Sequence, residues 1–212
     1  MGKNSRYSGT GGWGVENDLL MEHRNQLPRM LNDLGLNGIG VEIGVCEGVF
    51  SDIILKTWKG KKLYLIDSWR HIPGAIDFLN TDNNGQLDAM AKTFMKVYDY
   101  GSKAVLIRES SVDASKLFID ESLDFCYIDA SHDYKNVMDD LNTWYPKVKP
   151  GGIISGHDYV DGLFQYTGGY VLMEVKRAVD EFFKDKNVAI SYTKEDIAET
   201  LNSWYLIKSI KI

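Results

Sequence analysis

Short apolar runs recur along the chain and alternate with stretches whose apolar residues fall three and four positions apart. The runs Ile39 to Ile43, Leu63 to Ile66, Ala104 to Ile107, Leu123 to Ile128, Ile153 to Ser155, Val188 to Tyr192 and Trp204 to Ile207 read as strands. Between most of them the spacing predicts helices over Val49 to Trp58, Gln86 to Tyr98, Tyr134 to Trp144 and Val171 to Phe183. Strands that alternate with amphipathic helices bury both faces of their sheet. The expected fold is therefore α/β: a Rossmann-like, doubly wound, mainly parallel seven-stranded sheet with helices on both faces. Only the polar stretch Lys194 to Asn202 separates the last two strands, which predicts an antiparallel pair at the sheet edge. Upstream, Glu16 to Leu34 shows helical spacing, with Pro28 expected to kink or divide the helix. Ser68 to Gly85 is long enough for a lid or substrate loop.

Composition narrows the classes. At 212 residues and 44% hydrophobic, the chain is expected to form a single domain, 1–212, with residues 1–37 as an N-terminal helical extension. A net charge of −6 offers no footprint for nucleic acid or for an anionic membrane surface. No apolar run has the length of a membrane span, and Met1 to Gly14 is polar and glycine-rich, without the apolar centre of a signal peptide. Cys46 and Cys126 lack paired spacing, which suits reduced thiols in a cytoplasmic protein.

The most informative stretch is Val41 to Ser51, a strand running into a glycine-bearing turn and then a helix. Gly44 and Gly48 suit a tight reversal and close approach of a ligand to the backbone. The spacing is neither G-x-G-x-x-G nor a P-loop, and Glu42 places a carboxylate where a phosphate site would want amides or cations. An acid there suits the amino group and ribose of S-adenosylmethionine better than a pyrophosphate. Asp67 ends the second strand about twenty residues on, the spacing at which a carboxylate meets ribose hydroxyls. A strand-turn-helix that merely needs two glycines, and an Asp that merely ends a strand, are the plain alternatives.

Ligands of open α/β sheets lie beyond the carboxyl ends of the strands. Those ends carry Glu42 and Gly44, Asp67, Glu109 to Ser111, Asp129 and His132, and His157 and Asp158. Asp129, His157 and Asp158 offer oxygen and nitrogen ligands to one divalent ion, Mg²⁺, Mn²⁺ or another. His132 or His157 with a pKa near neutrality suits a general base. Against these readings stands simple capping of the next helix by His132 and Asp133, with a turn at His157-Asp158.

Taken together, Val41-Glu42-Ile43-Gly44-Val45 with Gly48, Leu65-Ile66-Asp67-Ser68-Trp69, Glu109-Ser110-Ser111, Asp124 to Tyr134 and Pro150 to Tyr159 resemble class I S-adenosylmethionine-dependent methyltransferases, most closely those of type 24. The resemblance runs from about Gly38 to the C-terminus. It implies that Glu42, Gly44 and Gly48 hold the methionine part, Asp67 with Ser68 the ribose, and Ser110 and Ser111 the adenine side, with Asp129 beside the sulfonium. Catechol-type relatives bind Mg²⁺ through an acid at the position of Asp129 and an acid-amide pair after the fifth strand. This chain has His157 and Asp158 at that pair. The implied activity is methyl transfer to a small-molecule acceptor, at a hydroxyl oxygen, with Asp129, His132 and His157 as catalytic candidates. Trp69, Phe78, Tyr159, Tyr166 and Tyr170 are candidates for an aromatic rim, and the N-terminal extension for a lid or a homo-oligomer contact. A non-catalytic cofactor-binding protein and a metal-dependent hydroxylase or hydrolase stay open as other readings.

Overall fold

A computed structural model of the chain describes residues 20–209 except 78, 167, 187 and 195–200. The start of the expected N-terminal helix, the rim candidate Phe78 and most of the stretch before the last strand therefore lie outside the described residues. Five parallel strands form the body of the sheet: β1 (Ile39–Ile43), β2 (Lys62–Asp67), β3 (Ala104–Arg108), β4 (Leu123–Ile128) and β5 (Val148–Gly156). A two-stranded sheet of β6 (Asp161–Tyr166) and β7 (Gly169–Glu174) follows, and β8 (Ser191–Tyr192) and β9 (Trp204–Ile207) return to the edge. The main sheet has seven strands in the order β3-β2-β1-β4-β5-β9-β8, with β9 antiparallel to both neighbours. The expected architecture and antiparallel edge are thus present.

Alternation along each strand divides the core in two. Val41, Ile43, Ile66, Cys126, Ile128 and Ile154 face α5 (Tyr134–Trp144) and α6 (Val175–Phe183), packing with Leu141, Trp144, Val179 and Phe183. Leu63, Leu65, Phe125, Tyr127 and Ile153 face the other way, onto α1 (Leu27–Asp33) and α2 (Val49–Thr57) through Leu31, Ile54 and Trp58. Odd and even positions of β4 are therefore both buried, the signature of a covered parallel sheet. α3 (Asn83–Val97) and the short α4 (Ser111–Ser115) complete the crossovers.

Three expected elements differ, the Val188 to Tyr192 strand being cut to Ser191–Tyr192. Val171 to Phe183 is not one helix: the chain stays extended through Glu174 and turns helical only at Val175. Buried Val171 and Met173 alternate with exposed Tyr170 and Leu172, a period-two pattern that shares its apolar residues with the helical one. Near the N-terminus, Pro28 falls in the first turn of α1 and starts that helix, where its missing N–H costs no bond.

A polar contact under α4 gives a measurable consequence. Ser111 Oγ donates to the buried Asp140 carboxylate and accepts from Trp144 Nε1 at 2.8 Å. Burial pushes the Asp140 carboxyl up to about 7. The folded chain holds a proton that the unfolded chain releases near pH 4, so stability from this site is full below that pH and falls as pH rises through about 7. Asp140→Asn is expected to flatten the loss between pH 4 and 7 by roughly 1–3 kcal/mol, read from urea midpoints across that range.

Candidate active site

The turn after β1 is held by the protein itself. Gly44 N donates to Ile66 O at 2.9 Å, and its φ of +81° lies in the left-handed region. A Cβ at Gly44 would sit 1.9 Å from the carbonyl oxygen of Asp129, so glycine here lets the β1 and β4 ends come together. Gly48, at φ +73°, opens α2, and its Cβ would meet Thr93 Cγ2 of α3 at 2.9 Å. Asp67 Oδ2 accepts from Val45 N at 3.0 Å and Cys46 N at 2.9 Å, and its Oδ1 accepts from Trp69 N at 2.8 Å. Ser68 follows in the same turn, its carbonyl facing Arg108 Nε at 3.4 Å. Glu42 is buried and accepts from Ser51 Oγ at 2.5 Å, and burial pushes its carboxyl up to about 8.

The serines after β3 serve the fold. Ser110 caps α4, its Oγ accepting from Asp113 N at 3.2 Å. The Ser111 hydroxyl is committed to Asp140 and Trp144. Among the rim candidates, Trp69 is fully buried with its Nε1 donating to Cys46 O, and Tyr159 donates to Asp180. Tyr170 is exposed on the β6–β7 hairpin.

The ends of β4 and β5 do converge. Asp129 N donates to Ile43 O at 2.8 Å and His157 N to Ile128 O at 3.0 Å, which sets the two loops side by side. Asp158 adopts φ +55° and is buried, and its carboxylate joins both imidazoles: Oδ2 lies 2.8 Å from His132 Nε2 and Oδ1 2.8 Å from His157 Nδ1. His157 Nδ1 is 4.0 Å from Asp129 Oδ1. The far side of His132 meets Asp77, Nδ1 to Oδ2 at 3.0 Å. Asp133, not His132, caps α5, its Oδ1 accepting from Asn136 N.

Burial opposes charge on His132, but the carboxylates of Asp158 and Asp77 outweigh it and raise its pKa to about 10. His157 is raised by the same balance, burial against Asp158 and Asp129. His132 holds its proton at neutral pH, so it is not the near-neutral base expected from sequence in this state. Burial pushes Asp129 up, while His132 and His157 hold Asp158 down against its own burial.

One ligand atom each from Asp129, His132 and Asp158 lies within 4.8 Å of the others, a set that could hold a divalent ion. The expected set had His157 in place of His132. Asp77 lies on the Nδ1 side of His132, away from the Nε2 ligand atom, and a donor set of two carboxylates and one imidazole fits such an ion. Sequence reasoning missed Asp77 and Arg24. Arg24, in the turn of 3-10 helix Arg24–Gln26, donates from Nη1 to Asp129 Oδ2 at 3.2 Å. Asp77 lies in the long loop already singled out, whereas nothing in the sequence marked Arg24.

Residues 41–159, more than half of the chain, match the model of a methyltransferase-domain family, type 24. The chain belongs to that family. Its fold is that of class I S-adenosylmethionine-dependent methyltransferases, as the sequence resemblance implied. An uncharacterized protein of Acanthamoeba polyphaga mimivirus is 32% identical over 125 residues, covering 57% of this chain and 51% of its own. The chain thus spans about half the length of that curated relative. An O-methyltransferase from Bacillus cereus, solved in complex with SAH, superposes with a TM-score of 0.61 at 13% identity, covering 87% of this chain and 80% of its own. An rRNA methylase from Streptococcus thermophilus gives 0.56 at 14% identity, with coverage of 82% and 89%. A 1,6-didemethyltoxoflavin-N1-methyltransferase from Burkholderia thailandensis gives 0.57 at 10% identity, with coverage of 88% and 78%. The three proteins are named for different acceptors or acceptor atoms, so the likeness speaks to the fold alone. No helix among the described residues is long and apolar enough to cross a membrane.

Proposed function

We propose that this chain transfers a methyl group from S-adenosylmethionine to a hydroxyl oxygen of a small-molecule acceptor. The observation that carries the reading is the meeting of two sites at one sheet edge. The acid-lined glycine turn of β1 and β2 abuts, through Gly44 and Asp129, the Asp129-His132-His157-Asp158 cluster after β4 and β5. Bound S-adenosylmethionine supplies an electrophilic methyl on sulfur.

The chain's own residues position and acidify the acceptor. The glycine turn, pinned by Asp67, presents backbone to the cofactor, and Glu42 and Asp67 offer oxygens to its amino and ribose groups. Asp129 is the most accessible of the four clustered side chains, and its Oδ1 is the atom to receive the hydroxyl proton. His132, held as imidazolium by Asp158 and Asp77, stabilises the developing oxyanion. A divalent ion, where bound by Asp129, His132 and Asp158, would act as a Lewis acid that lowers the pKa of the acceptor hydroxyl.

The test is calorimetric titration of S-adenosylmethionine and S-adenosylhomocysteine, with and without Mg²⁺ or Mn²⁺, followed by an acceptor screen for S-adenosylhomocysteine release. Asp67→Asn is expected to weaken binding about tenfold or more, the worth of a hydrogen bond to a charged group. Absence of binding under every condition would sink the reading.

A further inference from the structure

We propose that Arg24 clamps the α-carboxylate at the methionine end of S-adenosylmethionine, an inference that rests on the cofactor reading above. Arg24 lies outside the matched family segment, yet its guanidinium crosses the sheet edge to the end of β4. It lies 5.2 Å from the ring centroid of Phe50 in the first turn of α2, and its side chain is only 18% exposed. The guanidinium therefore spans the gap between the helix that follows the glycine turn and the loop that holds Asp129.

The chain that carries Arg24 is anchored just before it. Met21 N donates to the Tyr205 hydroxyl of β9 at 2.9 Å, and Glu22 pairs with Lys194 at 2.7 Å. The His23 imidazole caps the 3-10 turn by accepting from Asn25 N. Arg24 is thus a placed cation beside the Asp129 carboxylate at the end of β4.

The carboxylates of Asp67 and Asp129 suit a sulfonium, an ammonium and ribose hydroxyls, and they repel a carboxylate. A ligand that carries all of these groups needs one cation at its acid end. Arg24 fills that need with a planar fork suited to a carboxylate. Insertion of the amino-acid end between Arg24 and Asp129 would exchange one ion pair for two: ligand carboxylate on Arg24, and ligand ammonium on Asp129 Oδ2.

The experiment titrates S-adenosylhomocysteine and 5′-methylthioadenosine, which lacks the amino-acid end, into wild type, Arg24→Ala and Arg24→Lys. Arg24→Ala is expected to weaken S-adenosylhomocysteine about tenfold or more and 5′-methylthioadenosine less than about twofold, with Arg24→Lys between. Equal weakening of the two ligands, which a general loosening of the fold would give, overturns the proposal. So does unchanged or tighter S-adenosylhomocysteine binding, which would make Arg24 a plug rather than a clamp. If wild type binds neither ligand, the cofactor reading itself fails, a result distinct from selective failure of Arg24.

Discussion

Asp158→Ala is expected to remove most of the activity and a large part of the stability together. That carboxylate is the shared partner of two part-buried imidazoles, at 2.8 Å from each, so its loss takes away the counter-charge of the His132 imidazolium and the partner of His157. Truncating one member of a buried charge cluster costs about 3–5 kcal/mol, visible as a lower urea midpoint. The His132 pKa, raised to about 10 in the native chain, should drop toward or below the ordinary histidine value, a change that NMR titration of the ring protons would follow. Turnover should fall roughly 10²- to 10⁴-fold as the oxyanion side loses its fixed charges. Asp158→Asn separates the causes, because asparagine tolerates the φ of +55° and keeps hydrogen bonds while dropping the charge. An Asp158→Ala protein with wild-type turnover would remove the cluster from the mechanism.

The second large effect is steric. A methyl at Gly44 meets the Asp129 carbonyl oxygen at 1.9 Å and Ala130 Cα at 2.8 Å, both backbone, with nothing flexible to swing aside. Gly44→Ala must therefore part β1 from the loop after β4 or force the turn into another conformation. With the unfavourable left-handed backbone included, a loss of about 3–5 kcal/mol follows, and cofactor binding goes with it. Gly74→Ala is the control, since Gly74 has φ +83° but no atom within 4 Å of the added carbon. It should cost only about 1–2 kcal/mol, the backbone penalty alone. Equal urea midpoints for the two variants would show that the close contact at Gly44 carries no weight.

The sheet was legible because buried parallel strands are almost uniformly apolar, and runs such as Leu123 to Ile128 can hardly be anything else. Helix α5 was legible to the residue, its start set by Asp133, its apolar stripe by Val137, Leu141 and Trp144. The β6–β7 hairpin escaped because Val171, Met173 and Val175 satisfy a period of two while Val171, Val175, Ala178 and Val179 satisfy a helical one. At the site, the residues that follow each strand could be named from chain position, but their partners could not. The contact of His132 with Asp77 closes over 55 positions, and that of Arg24 with Asp129 over 105. No local pattern records either. The same blindness hid the charge state of His132, since two carboxylates from separate segments decide it.

Strand β9 has a consequence for biosynthesis. It lies between β5 and β8, its Trp204 is buried against Gly156, and the same indole lines the small cavity under Asp129, His132, His157 and Asp158. A nascent chain that has emerged only through β7 already carries every acid and imidazole of the cluster, yet it lacks the floor beneath them and leaves the β5 edge unpaired. The site can thus close only after residue 207 clears the ribosome, and until then the open edge is the place where two unfinished chains would pair.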